Sequence, residues 1–362
     1  MVIYPTDWKE SSIGDLFNVF AGGDVKKQYF SKFRTSAYPY EIFSNGIENR
    51  GHYGYTSLAV FPGNSVTVTA RGTIGQAFYR EAPYDAIIRL LVLSPKSENI
   101  KPKFYEYYIN NQIVFERENT GVPQLTAPKI KEKTVPFFDG KEQEKIIETL
   151  QVFDTYIDDL AELIEKKKGI RDGALKDLIS GRIRLDGYDY EWQEGKIGDV
   201  LKILHGKNQR VVESFNGKYP ILGTGGIIGK AMEFLCDWEC VLIGRKGTID
   251  NPMYMNTPFW TIDTLYYSKP ADNQCVKWQY YLFCTIDWYD YTESSGRPSL
   301  AKKVIEAISI KIPQYEEQVK IAAVLTAMDE EIRDLETERE KIIQIREGAM
   351  DDLLTGRVRL TK

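Results

Sequence analysis

Two stretches of this chain carry their apolar residues in a strict rhythm. Ile146, Leu150, Phe153, Ile157, Leu160 and Ile164 step by 4, 3, 4, 3, 4. Ile321, Leu325, Met328, Ile332 and Leu335 repeat those steps, with Ile342 one heptad further on. Alternating threes and fours place every one of these residues on one stripe of a helix, the pattern of helices packed along their length. Each stretch of about 36 residues would make a helix about 54 Å long. A helix with a single apolar stripe cannot bury it alone, so each predicts the other as its partner.

The rhythm belongs to a longer recurrence. The block from Gln143 to Leu185 returns from Gln318 to Leu360, 175 residues on and without a gap. Asp154 falls on Asp329, Glu165 on Glu340, Arg171 on Arg346 and Gly173 on Gly348, and LISGRIRL is answered by LLTGRVRL. So long a period is no solenoid; it is a doubled domain plus helix. A doubled chain imitates a two-fold dimer, which predicts antiparallel helices with a globular head towards each end of a spacer of fixed length. Two stripe positions break the apolar rule: Ile164 becomes Arg339, and Ile342 takes the place of Lys167. Long basic side chains near the end of a stripe can reach out to water.

The segments before the helices correspond more loosely. Trp8 with Ile13-Gly14-Asp15 reads against Trp192 with Ile197-Gly198-Asp199, and Tyr38-Pro39 against Tyr219-Pro220. Gly72-Thr73-Ile74 matches Gly247-Thr248-Ile249 at the 175 offset. Short β-branched runs predict strands at 65–70, 86–93 and 239–243. Residues 103–118 and 278–293 have helical apolar spacing, and each half closes in an extended run ending at Pro136 or Pro313. The fold class expected is α+β: two pseudo-symmetric globular α/β domains separated by two long helices paired as an antiparallel coiled coil. The blocks are 1–142, 143–185, 186–317 and 318–362. The ends also match, since seven residues precede Trp8 and two follow Leu360, so the order is nearly circular.

Composition changes the picture in one respect. The formal net charge is −5, which by itself speaks against a nucleic-acid binder. Residues 143–180 hold nine acids and six bases, and residues 318–355 hold ten and five, so the remainder of the chain is mildly basic. The helices are therefore not the surface expected to meet phosphates. No apolar run approaches the roughly 18 residues that span a membrane. Four cysteines and no leader-like N-terminus fit a reducing cytoplasm.

Familiar chemistry is absent. Asn251-Pro252-Met253-Tyr254 resembles the Asn-Pro-Pro-Tyr motif of adenine methyltransferases, but Met stands third and no F-x-G-x-G string precedes it. The run from Gly223 to Lys230 fails both phosphate-loop templates: Thr224, Ile228 and Ala231 stand where glycine, glycine and Ser/Thr are needed. It reads as a Gly-rich turn between strands. Cys236, Cys240, Cys275 and Cys284 contain no C-x-x-C pair and read as small core hydrophobes. His52 and His205 are the only histidines, one per half, with no nucleophile or metal motif beside either.

These residues resemble one family over essentially the whole chain: the specificity subunits of type I restriction-modification systems. The resemblance rests on W-x-x-x-x-I-G-D twice, L-[IL]-[ST]-G-R-[IV]-R-L twice, and the segments Pro136 to Gln143 and Pro313 to Gln318 between head and helix. It implies a DNA-reading subunit with no catalysis of its own. Each head would read half of a split asymmetric target, and the helices would set the spacing. Its partners would be double-stranded DNA, two modification subunits and, where one exists, a restriction motor-nuclease. The only cofactor, S-adenosylmethionine, would sit in the modification subunit. Readers on one side of B-DNA lie roughly 34–36 Å apart, which suits the predicted spacer.

Direct readout needs Arg or Lys for guanine and Asn or Gln for adenine, with small donors for phosphates. Three loops per half offer them. In the first half these are Ser44 and Asn45, then Arg71 and Thr73, then Gln124, Thr126 and Lys129. In the second they are Thr224, then Arg245, Lys246 and Thr248, then Arg297, Ser299, Lys302 and Lys303. Arg71 and Arg245 stand out, each beside a Gly-bearing turn. Two competing readings remain, a doubled interaction scaffold that never reads DNA and, less favoured, an adenine methyltransferase. Salt-steep binding to one split site separates a reader from a scaffold.

Overall fold

The computed structural model describes residues 4–115, 124–292 and 298–360. They form two compact units, Met1–Leu160 with Glu338–Lys362, and Ala161–Thr337. The two long helices, Gly140–Ser180 and Tyr315–Leu354, each contribute to both units. The four sequence blocks thus meet the compact units half-way along each helix.

In the first unit, Phe17–Ala21, Leu91–Pro95, Ser65–Val68 and Ala77–Arg80 form an antiparallel sheet in that order. A second sheet orders Phe30–Ser31, His52–Thr56, Tyr40–Phe43 and Tyr84–Ala86, with its last pair parallel. Arg80 ties the two sheets. It is buried, its guanidinium lies 3.5 Å above the Phe43 ring, and it donates to Thr67 Oγ1 and the Arg50 carbonyl. Helix Pro102–Gln112 covers the first sheet and places Phe104, Tyr105 and Tyr108 in one core with Val66, Val68 and Leu93.

The second unit repeats the plan. Leu201–His205, Leu265–Pro270, Cys240–Gly244 and Met253–Met255 form the first sheet; Gly226–Ala231, Tyr219–Gly223 and Trp260–Thr261 form the other. Thr224 and Gly225 are the turn of its hairpin, with Gly226 at φ 109°; of the Gly-rich run only Thr224 and Gly225 form the turn, and residues 226–230 belong to its second strand. Helix Val276–Thr285 buries Trp278, Tyr281 and Phe283.

Three sequence expectations are corrected. The strand at 86–93 is two strands, because Ile88 and Arg89 turn left-handed (φ 55° and 62°), with Ile88 N–H bonded to the Gly23 carbonyl at 2.8 Å. The helix from 103 stops at Gln112, and the one at 278–293 stops at Thr285 and resumes as a 3₁₀ turn, Trp288–Tyr291. Of the twelve stripe positions, Phe153, Ile157, Met328, Leu335 and Ile342 are only half-buried. A lone partner helix covers only one side of a stripe. Ile146 and Leu150, and likewise Ile321 and Leu325, are fully buried because a head packs over them as well. Lys167 reaches out of the stripe to Glu331 at 2.6 Å.

Within each unit the helices run antiparallel, and the two copies exchange partners. In the first unit Arg359 of the second copy meets Glu142 of the first at 2.6 Å, and Arg346 meets Asp154 at 2.5 Å. In the second unit Arg184 meets Glu317 at 2.7 Å, and Arg171 meets Asp329 at 2.7 Å. These are the same residues at the 175 offset, with the roles of the copies reversed.

The candidate DNA-reading surface and the joints that carry it

The repeated motifs turn out to build the joint between head and helix. In I-G-D, Asp15 accepts from Ser12 N at 3.3 Å and Asp199 from Lys196 N at 2.7 Å, closing a one-turn helix after the first strand. Gln143 donates to the Phe138 carbonyl and accepts from Lys101 N; Gln318 donates to the Pro313 carbonyl and accepts from Cys275 N. Both glutamines are buried and bind the end of the head to the start of a long helix. The glycine of G-R-x-R ends the helix at φ 72° (Gly181) or 73° (Gly356), and a Cβ there would press on Trp192 in the one case and on Pro5, with Trp8 behind it, in the other. The first arginine folds back, Arg182 on Asp177 and Arg357 on Asp352. The second takes Glu317 or Glu142, whose carboxylate also accepts from Trp192 Nε1 at 2.9 Å or Trp8 Nε1 at 3.4 Å.

Further along the helices, Tyr107 donates to Asp154 at 2.6 Å and Tyr281 to Asp329 at 2.7 Å. Burial above all pushes both phenols well above their ordinary range, helped by the neighbouring carboxylate and, at Tyr281, partly opposed by the Thr326 hydroxyl, so they remain donors. Desolvation is the largest single influence on Arg171 and acts to lower it. The bonds to Asp329 and Asp172 more than offset it, and the guanidinium stays charged.

On this frame the strand Ser65–Val68 runs into a turn at 70–75 that the closing segment crosses. Leu125 N–H donates to the Ala70 carbonyl at 2.9 Å, and Arg71 pairs with Gln124 as an isolated bridge. In the second unit Leu300 N–H donates to the Arg245 carbonyl at 2.9 Å, and Lys246 pairs with Ser299. The counterpart of Arg71 is therefore Lys246. Arg245 occupies the place of Ala70, and its guanidinium lies back on the Asp263 carbonyl at 3.3 Å, 6.0 Å from the Tyr266 ring. It braces its own turn.

The other candidates divide in the same way. Arg71, Thr73, Gln124 and Lys129 are exposed around the first turn, and Gln124 and Lys129 border a cavity of about 360 Å³ backed by Ile74 and Phe115. Lys246, Thr248 and Lys303 are exposed in the second unit, with Ser299 half-buried. Asn45 is spent internally: its Nδ2 donates to the Ile88 carbonyl at 2.6 Å, and its Oδ1 accepts from Ala70 N at 2.7 Å. Both faces that would pair with adenine are occupied, so Asn45 is a brace. Ser44 bonds Gly51, Thr126 and Thr224 are half-buried at a helix start and a hairpin turn, and Lys302 sits 3.8 Å from Glu306. Arg297 lies outside the described residues.

Among the described residues no group of three His, Cys, Asp or Glu could hold a metal ion. Cys236 and Cys240 are buried with their sulfurs 3.9 Å apart, and His52 and His205 pack on Tyr55 and Tyr266. Among the described residues no helix is long and apolar enough to cross a membrane.

The family model of the type I restriction modification DNA specificity domain matches this chain twice, over residues 5–168 and 190–345. The chain belongs to that family. Each match covers a head with the greater part of the helix that follows it, in keeping with the duplication. A putative type I specificity subunit of Mycoplasma pneumoniae is 32% identical over 324 residues, covering 86% of this chain and 87% of its own. The EcoprrI specificity subunit of Escherichia coli is 24% identical, covering 86% and 81%. The crystal structure of an S subunit from M. genitalium shares the fold, with a TM-score of 0.66 at 21% identity over 96% of both chains. The protein is a non-catalytic specificity subunit whose task is DNA target choice.

Proposed function

We propose that this specificity subunit reads a split, asymmetric duplex target, one half-site per head, in the cytoplasm. Two modification subunits dock on the acidic helical blocks and methylate adenines of that target with S-adenosylmethionine that they hold themselves. Where a restriction motor-nuclease exists, it joins the same assembly. The observation that supports this most is a shared backbone with unshared side chains. The two crossing turns superpose in pattern, each closed by a 2.9 Å bond, yet one presents Arg71 and Gln124 and the other Lys246 and Ser299. A common scaffold bearing different donors suits two readers of different sequences: an Arg fork pairs with guanine and a Gln amide with adenine, whereas Lys and Ser make single bonds.

The test is to map methylated adenines made by the reconstituted complex. Arg71→Ala with Gln124→Ala should relax one half of the motif and leave the other intact, and Lys246→Ala with Ser299→Ala should do the reverse. Relaxation of both halves by either pair, or of neither, would refute the assignment.

A further inference from the structure

Each head carries, in the same topological place, a basic loop that none of the recognition candidates includes. It lies between the strand after I-G-D and the Tyr-Pro strand. In the first head, residues 21–40 hold Lys26, Lys27, Lys32 and Arg34 against one acid, Asp24, and all four cations are exposed. In the second, residues 206–218 hold Lys207, Arg210 and Lys218 against one acid, Glu213, and all three cations are exposed. Amid each set a phenylalanine stands in water: Phe33 is 76% exposed and Phe215 96%. One exposed apolar side chain is ordinary. The same arrangement twice, in heads that otherwise differ, is not.

Neither phenylalanine sits on a slack tether. The Ser31 hydroxyl accepts from Phe33 N at 3.1 Å and donates to the Phe33 carbonyl at 2.8 Å, and Ser31 itself pairs with Tyr55. Next to Phe215, Ser214 N–H donates to the Lys230 carbonyl at 2.9 Å, and buried Val212 anchors the loop on Ile221 and Trp260. Both loops also start beside the reading turns. Gly23 bonds Ile88, whose carbonyl takes Asn45, whose Oδ1 takes Ala70 N next to Arg71. Lys207 N–H bonds the Thr261 carbonyl, and Arg245 and Lys246 N–H groups bond the Thr264 carbonyl three residues on.

We propose that Phe33 and Phe215 are wedges that press between base pairs of the half-site their own head reads, while the surrounding lysines and arginines hold the flanking phosphates. Four cations to one acid in the first loop and three to one in the second select a polyanion; protein interfaces are depleted in lysine. A rigid apolar side chain set among phosphate-binding cations is the means by which a protein unstacks a step and bends a duplex. The inference rests on the DNA-reading function above and adds deformation to it.

The test uses the reconstituted complex with its modification subunits. The duplex carries the target found from host methylation, with 2-aminopurine stepped through one half-site at a time. The wild-type complex should raise fluorescence at one step in each half-site. Phe215→Ala should abolish the rise in the second head's half-site alone and weaken binding about ten-fold, the order of one lost stacking contact. Phe33→Ala should do the same for the other half, and Phe215→Trp should keep the signal. Unchanged affinity and fluorescence would overturn the proposal. So would a loss of affinity that merely follows loss of modification subunits from the complex, weighed at the same concentrations; the loop would then dock protein. If the wild-type complex does not prefer the split target over a scrambled duplex, the DNA-reading function itself fails, whatever the phenylalanines do.

Discussion

The joint between head and helix offers the sharpest energetic test. The Glu317 side chain is 2% exposed and accepts three bonds: Arg184 Nε at 2.7 Å, Arg184 Nη2 at 2.9 Å and Trp192 Nε1 at 2.9 Å. Arg184→Met leaves that carboxylate buried with one donor. Stranding one member of a buried ion pair costs about 3–5 kcal/mol. Arg184 is 27% exposed, so water can enter the vacated place, and the lower end, about 3 kcal/mol, is expected. Arg184→Met with Glu317→Met removes both charges and should return to within about 1 kcal/mol of wild type. The coupling between the two sites is then about 2 kcal/mol or more. The assay is urea unfolding of the four proteins of this double-mutant cycle, with the two units fitted as separate transitions. A single-mutant loss under about 0.5 kcal/mol, or strict additivity in the double mutant, would refute the reasoning. The other joint supplies an internal control. Trp8 Nε1 lies 3.4 Å from Glu142 whereas Trp192 lies 2.9 Å from Glu317, so Trp192→Phe should cost more than Trp8→Phe.

Other outcomes follow from the same geometry. Arg339 Nε is buried without a hydrogen-bond partner in the stripe where the first copy has Ile164, so Arg339→Ile should stabilise the protein by about 1 kcal/mol, read as a higher denaturant midpoint. Hydrogen bonds from Arg359 to Asp7, from Ser12 to Asp15 and from Arg357 to Asp351 hold these three carboxyls below the usual range. Groups depressed in the fold stabilise it fully above their unfolded pKa and lose that stabilisation as pH falls through the folded one. Stability should therefore hold down to about pH 4 and fall below it, and Asp7→Asn should shrink that acid loss, as followed by unfolding at stepped pH. The isolated chain, with a net charge of −5, should bind DNA weakly and without preference, and selectivity should appear only with modification subunits. Tight selective binding by the chain alone in a filter or anisotropy assay would contradict this.

Much of the framework was legible in the sequence because it is periodic or repeated. The stripe from Ile146 to Ile164 follows from spacing alone, and the 175 offset already aligned Asp154 with Asp329 and Arg171 with Arg346. The pairing of those residues across copies was not legible, since a repeat says which positions correspond and not which ones touch. The break at Ile88 and Arg89 had no local signal. A β-branched residue turns left-handed there because Gly23 and Asn45 hold its backbone. Asn45 looked like a base reader because an amide's chemistry is visible in sequence while its partners are not. Arg245 looks as able to read a base as Arg71 does, yet the 175 offset already places Lys246 opposite Arg71. The basic loops around Phe33 and Phe215 are legible in the sequence as local excesses of Lys and Arg, which the net charge of the whole chain conceals.

The measurement that bears most directly on the whole account is a map of methylated adenines in the host genome, with and without this gene. Two independent heads on one chain predict a single lost motif made of two defined half-sites around a run of unspecified bases. A continuous motif, or an unchanged methylation map, would contradict it.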